Sequence, residues 1–208
     1  MLRNNPFTYI RKLNRPVFTT REIAEISGKS LSSISQSLSN LEKHGLISKI
    51  YHGIWADSNR KDLSPYSIIP ALFPKQRAYI SFVSALNLYG IVEQIPQVIT
   101  VASTSHTRVF RTKMGVVHAH RIEPSFFQGF DWYGKTGDFL IAEPEKAFID
   151  CLYVSVFKNK QFGQFPELDF KNGFSMKKAV LWIKEIKNKR IRNMVEQKFN
   201  KIIHPPKR

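Results

Sequence analysis

The 208-residue chain is 42% hydrophobic and 12% aromatic, which excludes an intrinsically disordered protein and allows one large domain or two small ones. Its formal net charge is +16. This basic excess favours a polyanionic partner, with nucleic acid as the first candidate and an anionic membrane or an acidic protein as alternatives.

The charge is unevenly distributed along the chain. Residues 1–62 contain 10 Lys/Arg against 5 Asp/Glu, residues 63–170 contain 10 against 9, and residues 171–208 contain 12 against 2. The middle of the chain is therefore nearly neutral, and the two flanks are basic.

Cysteine usage and apolar runs indicate the compartment. The one cysteine, Cys151, excludes an internal disulfide framework and fits a reducing environment. The first residues lack the apolar run of a secretory signal, and no stretch approaches the roughly 20 apolar residues that span a bilayer. We therefore expect a soluble, cytoplasmic protein without a membrane partner.

The first elements predict the start of a small helical domain. Phe7, Ile10 and Leu13 predict a short helix that Pro16 ends, and Val17 and Phe18 predict a small strand.

Residues 19–56 then predict a helix, a tight turn and a second helix. We expect Thr20 to cap the first helix and Gly28 to end it, because glycine tolerates the backbone conformation found after helices. Ser30 is the expected N-cap of the second helix. The apolar residues of that helix recur at helical spacing: Leu31, Ile34, Leu38 and Leu41.

The opposite face of the second helix is polar. Short hydrogen-bonding side chains lie there between two lysines: Lys29, Ser32, Ser33, Gln36, Asn40 and Lys43. Such side chains suit a helix in the DNA major groove, where donors and acceptors distinguish base pairs. The alternative is a small three-helix module that binds protein and whose serine-rich face is merely solvated.

A hairpin is predicted to follow this helix. Gly45 ends the helix, and residues 46–49 and 54–56 predict two strands around a turn at Tyr51, His52 and Gly53, as in a winged helix-turn-helix. The predicted DNA-binding residues are the six polar-face residues together with Ser30 at the cap and Lys49 and His52 on the wing.

Residues 57–65 are polar, charged and end in proline, so we predict a domain boundary here. The first domain then covers residues 1–62 and the second covers residues 63–208.

The second domain predicts strands followed by helices. Residues 66–76 predict a helix broken by Pro70 and Pro74, and residues 79–89 predict a firmer one. Strands are predicted at residues 98–102, 108–110, 116–120, 130–133 and 139–142. A helix opens at Pro144, and two amphipathic helices are predicted at residues 175–187 and 189–202. Without a repeating βαβ unit, this order favours an α+β chain: a winged helix-turn-helix followed by a mixed α/β domain with terminal helices.

Few residues suggest catalysis. His118 and His120 alternate on a predicted strand and could bind a metal with His106, but a solvated or core-edge pair is the alternative. Four residues weakly suggest a nuclease, although helix capping also explains the acids: Asp138, Glu143, Glu145 and Lys146. Cys151 is expected to be a buried small hydrophobe. We expect a non-catalytic protein without cofactor or metal.

Two segments of the second domain resemble a known family. The run YISFVSAL at residues 79–86, with Tyr89-Gly90, EQIP at residues 93–96 and the strand at 98–102, resembles the AbiEi family. The run AEPEKA at residues 142–147 with Asp150 is also similar to that family. These proteins are transcriptional-regulator antitoxins of type IV toxin–antitoxin systems.

The resemblance implies two activities. The N-terminal domain would repress the protein's own operon by binding operator DNA. The second domain would neutralise a nucleotidyltransferase-like toxin encoded by the next gene, with the toxin or the toxin's substrate as partner.

The sequence is compatible with two other functions. One is a ligand-responsive repressor without antitoxin activity, and the other is an enzyme with a fused DNA-binding domain. The basic terminal helices could be a solvated face, a contact to DNA phosphates, or a surface for an acidic partner. Both a monomer and a homodimer on DNA are compatible with the sequence.

Overall fold

The computed structural model of the protein describes residues 6–134, 139–157, 162, 165, 167–170 and 173–204. The chain forms two compact units, residues 1–75 with 111–115 and residues 76–110 with 116–208. Residues 63–75 thus cluster with the first unit. The predicted boundary after residue 62 separates two domains expected to fold independently, and it stays a prediction.

The first unit is a winged helix-turn-helix, as predicted. Its elements are α1 (Pro6–Leu13), β1 (Val17–Thr19), α2 (Thr20–Ser27), α3 (Leu31–Lys43), β2 (Ile47–Tyr51), β3 (Ile54–Asp57) and, after a 3-10 turn (Pro65–Ile68), α4 (Ile69–Leu72). The strands form an antiparallel sheet in the order β1-β3-β2.

One apolar core joins the three helices to this sheet. Its buried members come from every element between α1 and β3: Ile10, Phe18, Ile23, Ala24, Ile34, Leu38, Ile47 and Trp55. The Trp55 indole N–H, which would be costly to bury unpaired, donates to the Thr20 hydroxyl at 2.9 Å. The core therefore also fixes β3 to the start of α2.

The cap of α2 differs from the prediction, because Thr19 rather than Thr20 is the N-cap. The Thr19 hydroxyl accepts the Glu22 N–H at 3.2 Å, and the Glu22 carboxylate accepts the Thr19 N–H at 2.7 Å, which completes a capping box. Strand β1 runs directly into α2, so its last residue takes the cap position while the Thr20 hydroxyl binds Trp55.

The second unit is a mixed sheet packed against helices, in agreement with the predicted fold class. Its elements are β4 (Ala78–Ile80), α5 (Phe82–Leu88), β5 (Ile99–Ser103), β6 (Arg108–Thr112), β7 (Gly115–Arg121), β8 (Phe130–Trp132), β9 (Leu140–Ala142), α6 (Pro144–Phe157), α7 (Met176–Lys184) and α8 (Lys189–Ile203), except that the end of β6 from residue 111 and the first residue of β7 are assigned to the first unit. The sheet order is β6-β7-β5-β4-β9-β8. Strands β4 and β9 run parallel, and β4 and β5 run antiparallel.

The predicted helix at residues 79–89 is wrong at its start. Tyr79 and Ile80 belong to β4, where both are fully buried and pair with β5, and the helix begins only at Phe82. Tyr79 and Ile80 are apolar enough to extend the helical pattern of α5, so periodicity alone could not separate strand from helix.

Helix α6 lies at the centre of the second unit. Almost every side chain from Glu145 to Ser155 is buried, and the helix packs against α5, α7 and α8. In the described part of the chain, no helix combines the length and the apolar character that crossing a bilayer requires.

A buried polar network crosses from α6 to β4 and α5. Lys146 forms an ion pair with Asp150 one helical turn later, and both side chains are fully buried. The Asp150 carboxylate also accepts hydrogen bonds from the Tyr79 phenol at 3.0 Å and the Ser81 hydroxyl at 2.7 Å. Burial lowers the pKa of Lys146 and raises the pKa of Asp150, while their attraction opposes both shifts.

We expect Lys146→Met to destabilise the protein by about 3–5 kcal/mol, because it leaves the Asp150 carboxyl buried without its cation. Replacing both residues by apolar ones should recover most of that loss. Urea denaturation of the full chain measures the free energy of unfolding. Lys178→Met is the control, since Lys178 pairs with Glu143 at the surface and should contribute below about 1 kcal/mol. Equal effects of the two single variants would contradict the prediction.

Candidate nucleic-acid interface

The rotation of α3 about its axis is fixed by burial. Ile34 and Leu38 are fully buried in the first unit's core, and Leu41 packs partly buried against it. Leu31 departs from the predicted stripe, because it is 50% exposed at the first turn of the helix. With one side in the core, the opposite side of α3 faces solvent.

That outward side carries the predicted polar face. Five of its members have exposed side chains, namely Ser32, Ser33, Gln36, Asn40 and Lys43. Lys29, in the turn before the helix, is half-buried. The structure therefore brings the predicted α3 residues onto one accessible surface.

Hydrogen bonds within α3 occupy some of its serine hydroxyls and leave other polar groups available to contact bases. The Ser30 hydroxyl caps α3 by accepting the Ser33 N–H at 3.3 Å, and it lies 3.1 Å from the Ser32 hydroxyl. Ser37 and Ser39 donate to the carbonyls of the preceding turn at 3.0 Å and 2.9 Å, which engages their protons within the helix. Gln36 and Asn40, with amides that both donate and accept, are the best-suited base readers.

The wing is held against the start of α2. The turn at His52 and Gly53 requires a positive φ, which Gly53 adopts at 68°. The Gly53 carbonyl accepts the Thr20 N–H at 2.9 Å. His52 is exposed and meets Tyr51 edge-on, with ring centroids 5.2 Å apart. The wing thus presents His52 from a fixed position.

Lys49 is exposed on β2. Its main-chain N–H donates to the Glu42 carboxylate at 2.9 Å, and its ammonium lies 5.6 Å from the centre of the Trp55 ring. The backbone bond ties the wing to the last turn of α3, so Lys49 is positioned by the same helix that carries the polar face.

Arg21 is a candidate that the sequence analysis did not select. It is exposed in the first turn of α2 and lines, with Lys29 and Leu31, a shallow cavity of about 450 Å³. A cation here could contact a phosphate next to the helix-turn-helix. Its only signal in the sequence is a basic side chain just after the cap.

Among the residues that the structure describes, the histidines and the residues of the nuclease hypothesis do not come together in a site. The rings of His118 and His120 lie 6.5 Å apart, and the described residues contain no group of three His, Cys, Asp or Glu able to hold a metal. Asp138 lies outside the described residues. Lys146 is fully buried against Asp150, so it cannot approach a phosphate as a nuclease lysine would. Burial raises the pKa of the Cys151 thiol well above its usual range.

Comparison with known proteins bears on the first unit. Residues 8–56 match the model of a family described as "Transcriptional regulator, AbiEi antitoxin". The matched segment covers most of α1 and all elements from β1 to β3 except the last residue of β3. For this segment it confirms the resemblance to the AbiEi family of transcriptional regulators and antitoxins. The motifs at residues 79–102 and 142–150 lie beyond the matched segment, and a search of curated proteins found no match.

We expect Gln36→Ala and Asn40→Ala each to weaken specific DNA binding by about 1–3 kcal/mol while leaving non-specific binding nearly unchanged, because each would remove a side chain predicted to contact bases. Fluorescence anisotropy against a specific and a random duplex measures both terms. Gln197→Ala, the same change at an exposed position of α8, is the matched control. Retained preference for the specific duplex in both α3 variants would show that α3 is not the reading helix.

Lys49→Ala should behave differently, because a lysine that contacts phosphate contributes charge without base discrimination. Affinity should fall about equally for all sequences, and the slope of log K against log salt should become shallower by about 0.9. Binding titrations at several salt concentrations give the slope. Lys61→Ala, an exposed lysine beyond the wing, serves as the control. An unchanged slope for Lys49→Ala would show that Lys49 does not contact phosphate.

Proposed function

We propose that the protein is a DNA-binding repressor of its own operon and an antitoxin that neutralises a nucleotidyltransferase-like toxin, as in a type IV toxin–antitoxin system. Operator DNA is the partner of the first unit, bound by a monomer or a homodimer. The toxin, or the toxin's substrate, is the partner of the second unit.

The DNA-binding part rests on the geometry of α3. Ile34 and Leu38 are fully buried, so the face with Gln36 and Asn40 is exposed and held in one orientation. Lysines border this face, and the residues 1–62 that contain it carry 10 Lys/Arg against 5 Asp/Glu. Hydrogen-bonding groups supply discrimination and cations supply affinity, which is the combination that specific DNA binding needs.

The antitoxin part is supported by the family description at residues 8–56 and by the sequence motifs of the second unit. The described second unit has its own buried core around α6 and its own sheet, so it can carry a function of its own.

A cavity favours a second candidate, a repressor that responds to a small molecule. It lies in the second unit, has a volume of about 250 Å³, and is lined by Thr107, His120, Arg121, Glu123, Tyr153, Val154 and Phe157. Its size and its mixture of aromatic and charged walls suit a small organic ligand. In this candidate, ligand binding to the second unit would make the first unit release DNA, and the protein would leave a toxin unaffected.

A variant that separates the two activities tests the proposal. The full chain with both Gln36→Ala and Asn40→Ala should lose repression of a reporter driven by the DNA upstream of its gene. It should still restore growth to cells that express the downstream gene from another promoter, because the substitutions lie in the first unit.

Growth and reporter output are measured for the wild-type chain, for this double variant and for Gln197→Ala. If the downstream gene is toxic and the wild-type chain does not restore growth, the antitoxin part is wrong and the ligand-responsive repressor gains support. If the wild-type chain does not repress the reporter, the repressor part is wrong.

A further inference from the structure

The last two helices leave an apolar surface uncovered. Three aliphatic side chains of α7 are exposed: Met176 at 36%, Val180 at 38% and Leu181 at 59%. Together with Phe199 and Ile203 of α8 they form the floor of a groove of about 570 Å³, named here the α7–α8 groove. Exposed apolar side chains that cluster in this way mark interaction sites more often than isolated ones do.

The three α7 residues of the groove lie outside the buried core of the second unit. Helix α7 contacts α6 through its other side, where Ala179 and Ile183 are buried. Helix α8 buries Val195 and also Phe199, whose ring centroid lies 6.1 Å from that of Phe148. Met176, Val180 and Leu181 are therefore a second apolar stripe of α7, which the unit's own core leaves in contact with water.

The rim of the groove is basic. Lys177 and Lys184 line it on α7, and among the described residues neither forms an ion pair with an acid. Their neighbour Lys178 pairs instead with Glu143 at 2.8 Å, and Lys198 of α8 donates to Ser155. Residues 171–208 contain 12 Lys/Arg against 2 Asp/Glu, so the surroundings add to the positive field.

We propose that the α7–α8 groove binds an acidic amphipathic helix of a protein partner. The apolar stripe of that helix would lie on Val180, Leu181 and Ile203, and its carboxylates would face Lys177 and Lys184. Helix α7 has nine residues and is therefore about 13 Å long. This length fits two to three turns of a docked helix with anchors at i, i+3 or i+4, and i+7.

Charge and side-chain type disfavour other occupants. A second copy of the chain would bring two strongly basic segments together, since residues 171–208 are basic in both copies. Single-stranded nucleic acid binds basic grooves through aromatic side chains on which bases stack, whereas the exposed floor here is aliphatic. An acidic helix satisfies both the cations and the apolar floor.

This inference goes beyond the proposed function, because it names a groove and the chemistry of the helix that fits it and does not require the toxin as the partner. A synthetic peptide can therefore test the groove even if the toxin assignment fails.

The probe is a fluorescein-labelled peptide of about 15 residues, with leucines at i, i+3, i+4 and i+7 and glutamates on its other faces. A scrambled peptide of the same composition and a peptide with lysines in place of the glutamates serve as controls. Anisotropy is measured with the full chain. Vesicles of phosphatidylcholine with phosphatidylserine test a membrane as the alternative occupant.

Matched variants locate the contact. Leu181→Asp should weaken binding at least roughly tenfold, and Lys184→Glu about three- to tenfold. Ile95→Asp, at a position 81% exposed elsewhere in the second unit, and Lys187→Glu, just beyond α7, should leave it unchanged. Circular dichroism and DNA binding of each variant report whether the fold is intact.

Binding of the acidic peptide in preference to both control peptides, with this variant pattern, supports the groove. Equal binding of the scrambled peptide, or no effect of Leu181→Asp, overturns the proposal. Vesicle binding that depends on Leu181, without peptide binding, assigns the surface to a membrane and also overturns it. In cells, a wild-type chain that fails to neutralise the toxin refutes the proposed function.

Discussion

The burial of one side of α3 is the constraint on which the function of the first unit depends. Ile34 and Leu38 are fully buried, and exposing such a side chain costs about 1.5–3 kcal/mol, so rotation of the helix about its axis is strongly opposed. The same rotation places Gln36 and Asn40 outward. Because Glu42 binds the backbone of Lys49, the last turn of α3 also sets the position of the wing. Packing energy inside the unit thus orients the groups that would read DNA outside it.

In the second unit, polar groups fix the rotation of the central helix α6 about its axis. Helix α6 is buried on nearly all sides, so apolar packing alone offers little preference for one rotation over another. Lys146 and Asp150 supply that preference, since their hydrogen bonds with Tyr79 and Ser81 can all form in only one arrangement. We interpret selection of a single packing arrangement of α6 as the main effect of the ion pair. Its contribution to stability is smaller, because desolvation offsets much of its attraction.

The sequence predicted most of the winged unit because its signals are local. Helical spacing, the cap at Ser30 and the glycines at 28 and 45 mark its elements to within a few residues. The predictions that were wrong failed because contacts between residues far apart in sequence, or the position of the core, overrode the local pattern. Thr20 looks like a cap, but its hydroxyl binds Trp55, 35 residues away in sequence, and β1 moves the cap to Thr19. Tyr79 and Ile80 fit a helix until pairing with β5 makes them a strand. Leu31 fits the apolar stripe, yet at the first turn of α3 it lies beyond the core.

The basic character of both flanks does not imply a common partner, because the residues between the cations differ. On α3 the lysines border serines, Gln36 and Asn40, which can exchange hydrogen bonds with base edges. On α7 they border Val180 and Leu181, which gain nothing from a phosphate and lose contact with water only against another apolar surface. Positive charge attracts an anionic partner to both α3 and α7, and the side chains next to the cations determine which kind of partner binds. One net charge can therefore serve two different interfaces in this protein.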